Sequence, residues 1–149
     1  TFYRYAVLDV PKLLANLGND TGLALAGLRA FAEAMARAIP TGKQNSFAAH
    51  NPPAFVGVVL RHGSPFNLAN AFEQPVVATR DGSLTEVSVQ RLGAYEQRVA
   101  AAYGDTRDAW GCVDLTSRWP DGLGVRHASL GALIDWLDAE VRQWLGAPA

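Results

Sequence analysis

An α+β fold, with helices packed on an antiparallel sheet, is what this sequence predicts, and three observations carry the expectation. Residues 2–10 and 54–60 have strand chemistry, one aromatic and β-branched, the other a continuous apolar run. Three stretches opening at Asp20, Ser83 and Ser129 each place a capping residue before apolar positions spaced by three and four, the pattern of amphipathic helices. The order of these segments lacks the regular strand-helix alternation of a parallel doubly wound sheet, which favours helices gathered on one face of an antiparallel one.

Taken in order, residues 2–10 read as a strand closed by Pro11, whose missing N–H ends a ladder, and residues 12–17 as a short helix stopped by Gly18. The helix capped by Asp20 buries Ala24, Leu28, Phe31, Met35 and Ala38 or Ile39. Its opposite face carries Arg29, Glu33 and Arg37, a solvated ladder worth ~0.3 kcal/mol per pair. Pro40 and Gly42 end it, and 41–53 is a polar loop before the buried central strand at 54–60. Pro75 to Ala78 is expected as an edge strand, where proline is tolerated. Ser83 and Glu86 have capping-box spacing for a helix whose stripe is Leu92, Tyr95, Val99 and Ala102 or Tyr103. Residues 109–115 are expected as a short strand, 117–126 as a loop, and Ser129 caps a helix with Leu130, Leu133, Ile134, Leu137, Val141 and Trp144 or Leu145 on one side.

The bulk composition suits one domain spanning 1–149. With 149 residues, 49% apolar and 18% charged, the chain can close a single core. The formal charge of −1 supplies no global attraction to phosphate, so any contact with nucleic acid rests on where the cations sit. Cys112 is the only cysteine, which excludes an internal disulfide and points to a reducing cytoplasm. No apolar run approaches a membrane span. The abrupt opening on Thr1, straight into strand-like residues, suggests a fragment whose other half lies upstream.

The search for chemistry excludes more than it finds. His50, His62 and His127 are scattered and none belongs to a helical metal-binding pair, so no metal is expected. Neither Ser64 nor Ser83 stands in a nucleophile elbow, and Gly122-Leu123-Gly124 lacks the strand and third glycine of a dinucleotide fingerprint. Gly42-Lys43 follows a helix rather than preceding one, which argues against a nucleotide-hydrolysing phosphate loop. The segment nevertheless gathers an ammonium on Lys43, amides on Gln44 and Asn45, a hydroxyl on Ser46 and backbone N–H groups near Gly42. Those donors suit phosphate and sugar.

Phe2-Tyr3-Arg4-Tyr5-Ala6, Asn16-Leu17-Gly18, residues 40–49 and Asn67-Leu68-Ala69-Asn70-Ala71-Phe72-Glu73 resemble, in order, blocks of the CasC family. That family is the repeated backbone of the type I-E CRISPR Cascade complex. The resemblance implies an incomplete RRM-like (ferredoxin-like) palm, following a thumb hairpin, in a cytoplasmic ribonucleoprotein. Its implied partners are CRISPR RNA, target DNA, further copies of itself stacked head to tail and other Cascade subunits, with no membrane, cofactor or catalytic residue. Carried over, Gly42, Lys43, Gln44, Asn45 and Ser46 form a loop on the RNA backbone. Arg4 lies at the base of the thumb, Arg80 lies near DNA, and Asn67, Asn70 and Phe72 hold a structural turn. The alternative from another class is a small cytoplasmic enzyme with a site built from His50, His62 and Asp114.

Overall fold

The computed structural model describes residues 2–38, 51–80 and 82–146. Helix α1, Val10–Asn16, begins where Asp9 accepts from Lys12 N–H at 2.9 Å, and Gly18 and Asn19, both with φ near +65°, turn the chain out of it. Pro11 therefore sits in the first turn of a helix, where a missing N–H has no cost, and does not close a strand. Helix α2, Thr21–Arg37, is capped by Asp20, which accepts from Leu23 N–H at 2.9 Å.

The sheet has the order β1-β2-β3. Strand β1, Phe55–Leu60, runs antiparallel to β2, Ala109–Asp114, with Phe55 opposite Asp114 and Leu60 opposite Ala109. The two-residue β3, Val125–Arg126, joins β2 in parallel, so the sheet is mixed where an antiparallel one was expected. A 3-10 turn, Leu68–Phe72, leads toward helix α3, Leu84–Tyr103, and helix α4, Leu130–Leu145, closes the fold. The α+β class stands.

Both faces of the sheet are covered, contrary to the one-faced arrangement expected. Successive strand residues point to opposite faces, and in β1 and β2 both sets are apolar. Val58, Leu60 and Ala109 join Val10, Leu25, Leu28, Leu137 and Val141 in a core under α1, α2 and α4. Phe55, Trp110 and Cys112 join Leu68, Ala71, Val89, Leu92 and Trp119 under α3 and the 3-10 turn. Gly111 is what lets α4 close, since a Cβ there would lie 2.5 Å from the Trp136 ring.

Two expected strands are absent from the described residues. Residues 2–9 form no ladder: a strand needs a partner, and no described segment pairs with them. They are held by side chains instead, Tyr3 Oη donating to Asn67 at 3.2 Å and Leu8 packing on the first core. Residues 75–78 likewise lack a ladder, and Arg91 holds their start by donating to the carbonyls of Gln74 and Pro75. Two stripes also rotate. In α2, Leu25 and Ala36 are buried while Phe31 remains 39% exposed, and in α3 the buried residues are Ser88, Val89, Leu92, Gly93 and Glu96 while Tyr103 is exposed.

Candidate nucleic-acid interface

Gly42, Lys43, Gln44, Asn45, Ser46 and also His50 lie outside the described residues, but the ground on which their segment stands is defined. Helix α2 ends at Arg37, and Ala38 N–H bonds the Ala34 carbonyl at 2.8 Å. The Ala38 carbonyl, an orphan at the negative end of the helix, accepts from the Arg4 guanidinium at 3.1 Å, while another Arg4 nitrogen approaches Met35 Sδ at 3.7 Å. The sequence pairs Arg4 with the loop only through a resemblance; the fold places Arg4 one residue from where the segment 39–50 departs. Arg80 is exposed in a turn closed by Thr79 N–H donating to the Gly82 carbonyl at 3.1 Å, just before the α3 cap.

Asn67 and Phe72 do hold a turn. The Asn67 carboxamide accepts from Ala69 N–H at 2.9 Å and from Tyr3 Oη at 3.2 Å, and the Phe72 ring lies 5.6 Å from that of Tyr3. Burial, only partly offset by the hydrogen bond from Leu68 N–H, pushes the Tyr3 phenol upward, so its ring stays neutral.

The decisive electrostatic fact is how the described cations are partnered. Arg29 reaches across to Asp135 on α4 at 2.7 Å rather than lying in a solvated ladder, while Arg37 does pair with Glu33 at 3.0 Å. Arg107 pairs with Asp105, whose carboxyl is driven well below its ordinary range by that guanidinium. Arg118, Arg126 and Arg142 meet Glu86, Asp121 and Asp138. Arg61 is fully committed: its side chain, 9% exposed, donates to Glu96 at 2.6 Å and Asp108 at 2.9 Å, and Trp110 Nε1–H donates to the same Glu96 oxygen at 2.9 Å. Among the described residues, Arg4, Lys12, Arg80, Arg91 and Arg98 have no carboxylate within ion-pair distance. Three of these are nonetheless held in place, Arg4 and Arg91 by carbonyls and Arg98 over the Tyr95 ring at 5.6 Å. Carbonyls and rings orient a guanidinium without neutralising it.

Sequence reasoning missed the buried network of Arg61, Glu96 and Asp108 and the open charges of Arg91 and Arg98. The one available signal was that α3 contains only two acids, Glu86 and Glu96, neither of them on the face of Arg91 and Arg98.

The three-residue enzymatic site does not assemble from its described members. His62 follows the end of β1 that faces Ala109, while Asp114 lies opposite Phe55, five residues or ~17 Å away along the ladder. Asp114 is used locally, accepting from Thr116 N–H, Thr116 Oγ1 and Trp119 N–H. Burial is the largest single influence on its carboxyl and raises it, but those donors together outweigh burial and hold it below the ordinary range. His62 instead sits near Asp108, edge-on to Trp144, and no cluster of three or more His, Cys, Asp or Glu able to hold a metal occurs among the described residues. No described helix is long and apolar enough to cross a membrane.

Fold and charge arrangement together define an α+β domain in which most described arginines are ion-paired and Arg4, Lys12, Arg80, Arg91 and Arg98 are not. Comparison then gives its family. The sequence profile of the CT1975-like protein family matches residues 1–136, and the chain belongs to that family. A chain of a solved CRISPR RNA-guided surveillance complex is similar at a TM-score of 0.80 and 30% identity, over 90% of this chain and 50% of that one. A chain of a pre-nicking CRISPR RNA-guided surveillance complex is similar at a TM-score of 0.78 and 29% identity, over 89% and 35% respectively. This chain thus spans half or less of the length of either relative. A comparison with curated proteins gives no match.

Proposed function

We propose that the chain is the palm region, after the thumb hairpin, of the guide-RNA-binding backbone subunit of a type I-E Cascade complex. The subunit stacks head to tail along CRISPR RNA in the cytoplasm, supports recognition of target DNA beside other Cascade subunits and has no catalytic step of its own. The observation that carries this reading is the similarity, at a TM-score of 0.80 over 90% of the chain, to a chain of an RNA-guided surveillance complex. The geometry adds support: Arg4, oriented and un-neutralised, stands at the root of the segment bearing Gly42, Lys43, Gln44, Asn45 and Ser46.

One subunit type that holds guides of every sequence cannot read bases, so its contacts fall on phosphate and sugar. In the intact subunit, Lys43→Ala weakens binding equally for two unrelated guide sequences and flattens the slope of log affinity against log salt by ~0.7, one single-strand phosphate contact. Gln44→Ala weakens binding with less change of slope, because it removes a neutral donor. Filter binding across salt reads both. An unchanged slope for Lys43→Ala, or a loss confined to one sequence, overturns the assignment.

A further inference from the structure

Helix α2 has only three charged side chains, Arg29, Glu33 and Arg37, and their spacing of four puts them on one line. Ala24, Leu25, Leu28 and Ala36 are buried on another side. A third side carries Leu23, Gly27, Ala30, Phe31 and Ala34, all exposed and all apolar. These five recur at i, i+4, i+7, i+8 and i+11, the spacing of a helix face that packs on a neighbour, yet Leu23 is 53% and Phe31 39% exposed. An apolar face of this kind, rimmed by charge, marks an interface. Gly27 is an independent sign of it. Glycine weakens a helix interior relative to alanine, and a Cβ at Gly27 would meet nothing within 4 Å, so no contact inside the described chain requires its absence. What the missing Cβ permits is the close approach of a second backbone.

We infer that this side of α2 is an internal interface of the intact subunit, covered by an apolar helix from the part of the polypeptide that precedes residue 1. Length points to that occupant: the chain spans 50% and 35% of the two similar chains, so a subunit of their size has at least as much chain again to place. Position does too. Arg4 donates to the Ala38 carbonyl at 3.1 Å and lies 3.7 Å from Met35 Sδ, which ties the incoming chain to the C-terminal end of α2, and Phe2 before it is 98% exposed. Size separates this occupant from a free partner. The stripe runs ~16 Å from Leu23 to Ala34, too short by itself to bury the ~1,600 Å² of a standard interface between separate chains. A covalently attached segment arrives at high effective concentration and needs less area. A straight row of small residues around Gly27 admits a second helix at ~8 Å between axes, with Leu23 and Phe31 projecting before and after Gly27 to pack against it.

The inference rests on the functional reading above only for the existence of a preceding part, and its test is independent of RNA binding. Gly27→Leu is compared in the 149-residue chain and in the intact subunit by thermal midpoint, without nucleic acid. In the chain the midpoint rises by about 2–4 °C, because leucine is the better helix former and meets nothing there, while in the intact subunit it falls. A rise in both overturns the inference. A second measurement introduces Ala30→Cys and follows its reaction with N-ethylmaleimide, the buried Cys112 staying silent and Gln143→Cys, exposed on α4, serving as control. The thiol at position 30 reacts freely in the chain and at least ~10-fold more slowly in the intact subunit, as a site reached only through local opening, while the control reacts equally in both. Equal reactivity at position 30 overturns the inference. So does protection that grows with the concentration of the chain alone, which assigns the stripe to a second copy, or protection that appears only when guide RNA is added, which assigns it to a neighbour on the guide. Failure of the functional reading shows separately, in the salt slope of Lys43→Ala.

Discussion

At the scale of single residues, Glu96 is the most deeply buried member of a charged network. It is fully buried, and one of its oxygens binds both the Arg61 guanidinium and the Trp110 indole N–H. Removing one member of a buried charged network strands the others, which costs about 3–5 kcal/mol. Glu96→Ala is therefore expected to lower the free energy of unfolding by that amount in urea denaturation, with Glu96→Gln losing less because an amide oxygen still accepts. Asp114 gives a pH-dependent counterpart. Its folded carboxyl titrates below that of the unfolded chain, so its contribution is present above about pH 4 and is lost as pH falls through the folded value. Measured by urea denaturation from neutral pH down to about pH 3, the stability gap between wild type and Asp114→Asn narrows toward acid; a constant gap contradicts the assignment. Neither role was visible in the sequence, where Glu96 falls in no motif and Asp114 enters only through the alternative enzyme site. What distinguishes them is the identity of donors that only the closed fold brings within reach.

At the scale of elements, the helix starts were legible because a cap is a local device. Asp20, Ser83 and Ser129 each accept an N–H from three residues on, as their spacing predicts. Ser83 and Glu86 complete a capping box, and Ser83→Ala should cost about 1 kcal/mol of stability, read as a lowered thermal midpoint with unchanged core fluorescence. The strand expected at residues 2–10 failed for the opposite reason. Aromatic and β-branched residues describe a segment that fits a ladder, but the ladder itself belongs to two segments and cannot be read from one. The stripes of α2 and α3 were read with the right period and a shifted phase, as Leu25 in place of Phe31 illustrates. Phase depends on which neighbours close over the helix, here α4 above α2 and the loop at Pro120 against Gly93. A Cβ at Gly93 would run into the Pro120 ring, so Gly93→Ala is expected to destabilise the fold even though alanine favours helix. A stabilised variant would show that the 119–121 loop yields.

At the scale of the whole molecule, the family resemblance was visible because four blocks survive in order, while the partition of arginines into neutralised and open was not. Arg29 and its partner Asp135 are 106 residues apart, and no sequence pattern joins them. The chain spans half or less of the similar surveillance-complex chains, and a binding surface shared with the remainder would be divided. The isolated 149 residues are accordingly expected to bind RNA far more weakly than the intact subunit and to form no long arrays, as checked by titration and by sedimentation with a long guide. Tight stoichiometric binding by this chain alone contradicts that division.

The sorting of charge has a kinetic consequence. Long-range steering of a polyanion depends on the field of the whole molecule, and at a net charge of −1 with most arginines cancelled locally that field is close to nil beyond a Debye length of about 10 Å. Such a surface does not draw a strand in from a distance. Association of this chain's surface with RNA should therefore proceed at an ordinary, weakly salt-dependent rate of about 10⁵–10⁷ M⁻¹s⁻¹. Added salt then acts chiefly by shortening the residence time of the strand, and stopped-flow traces would place the salt dependence in dissociation.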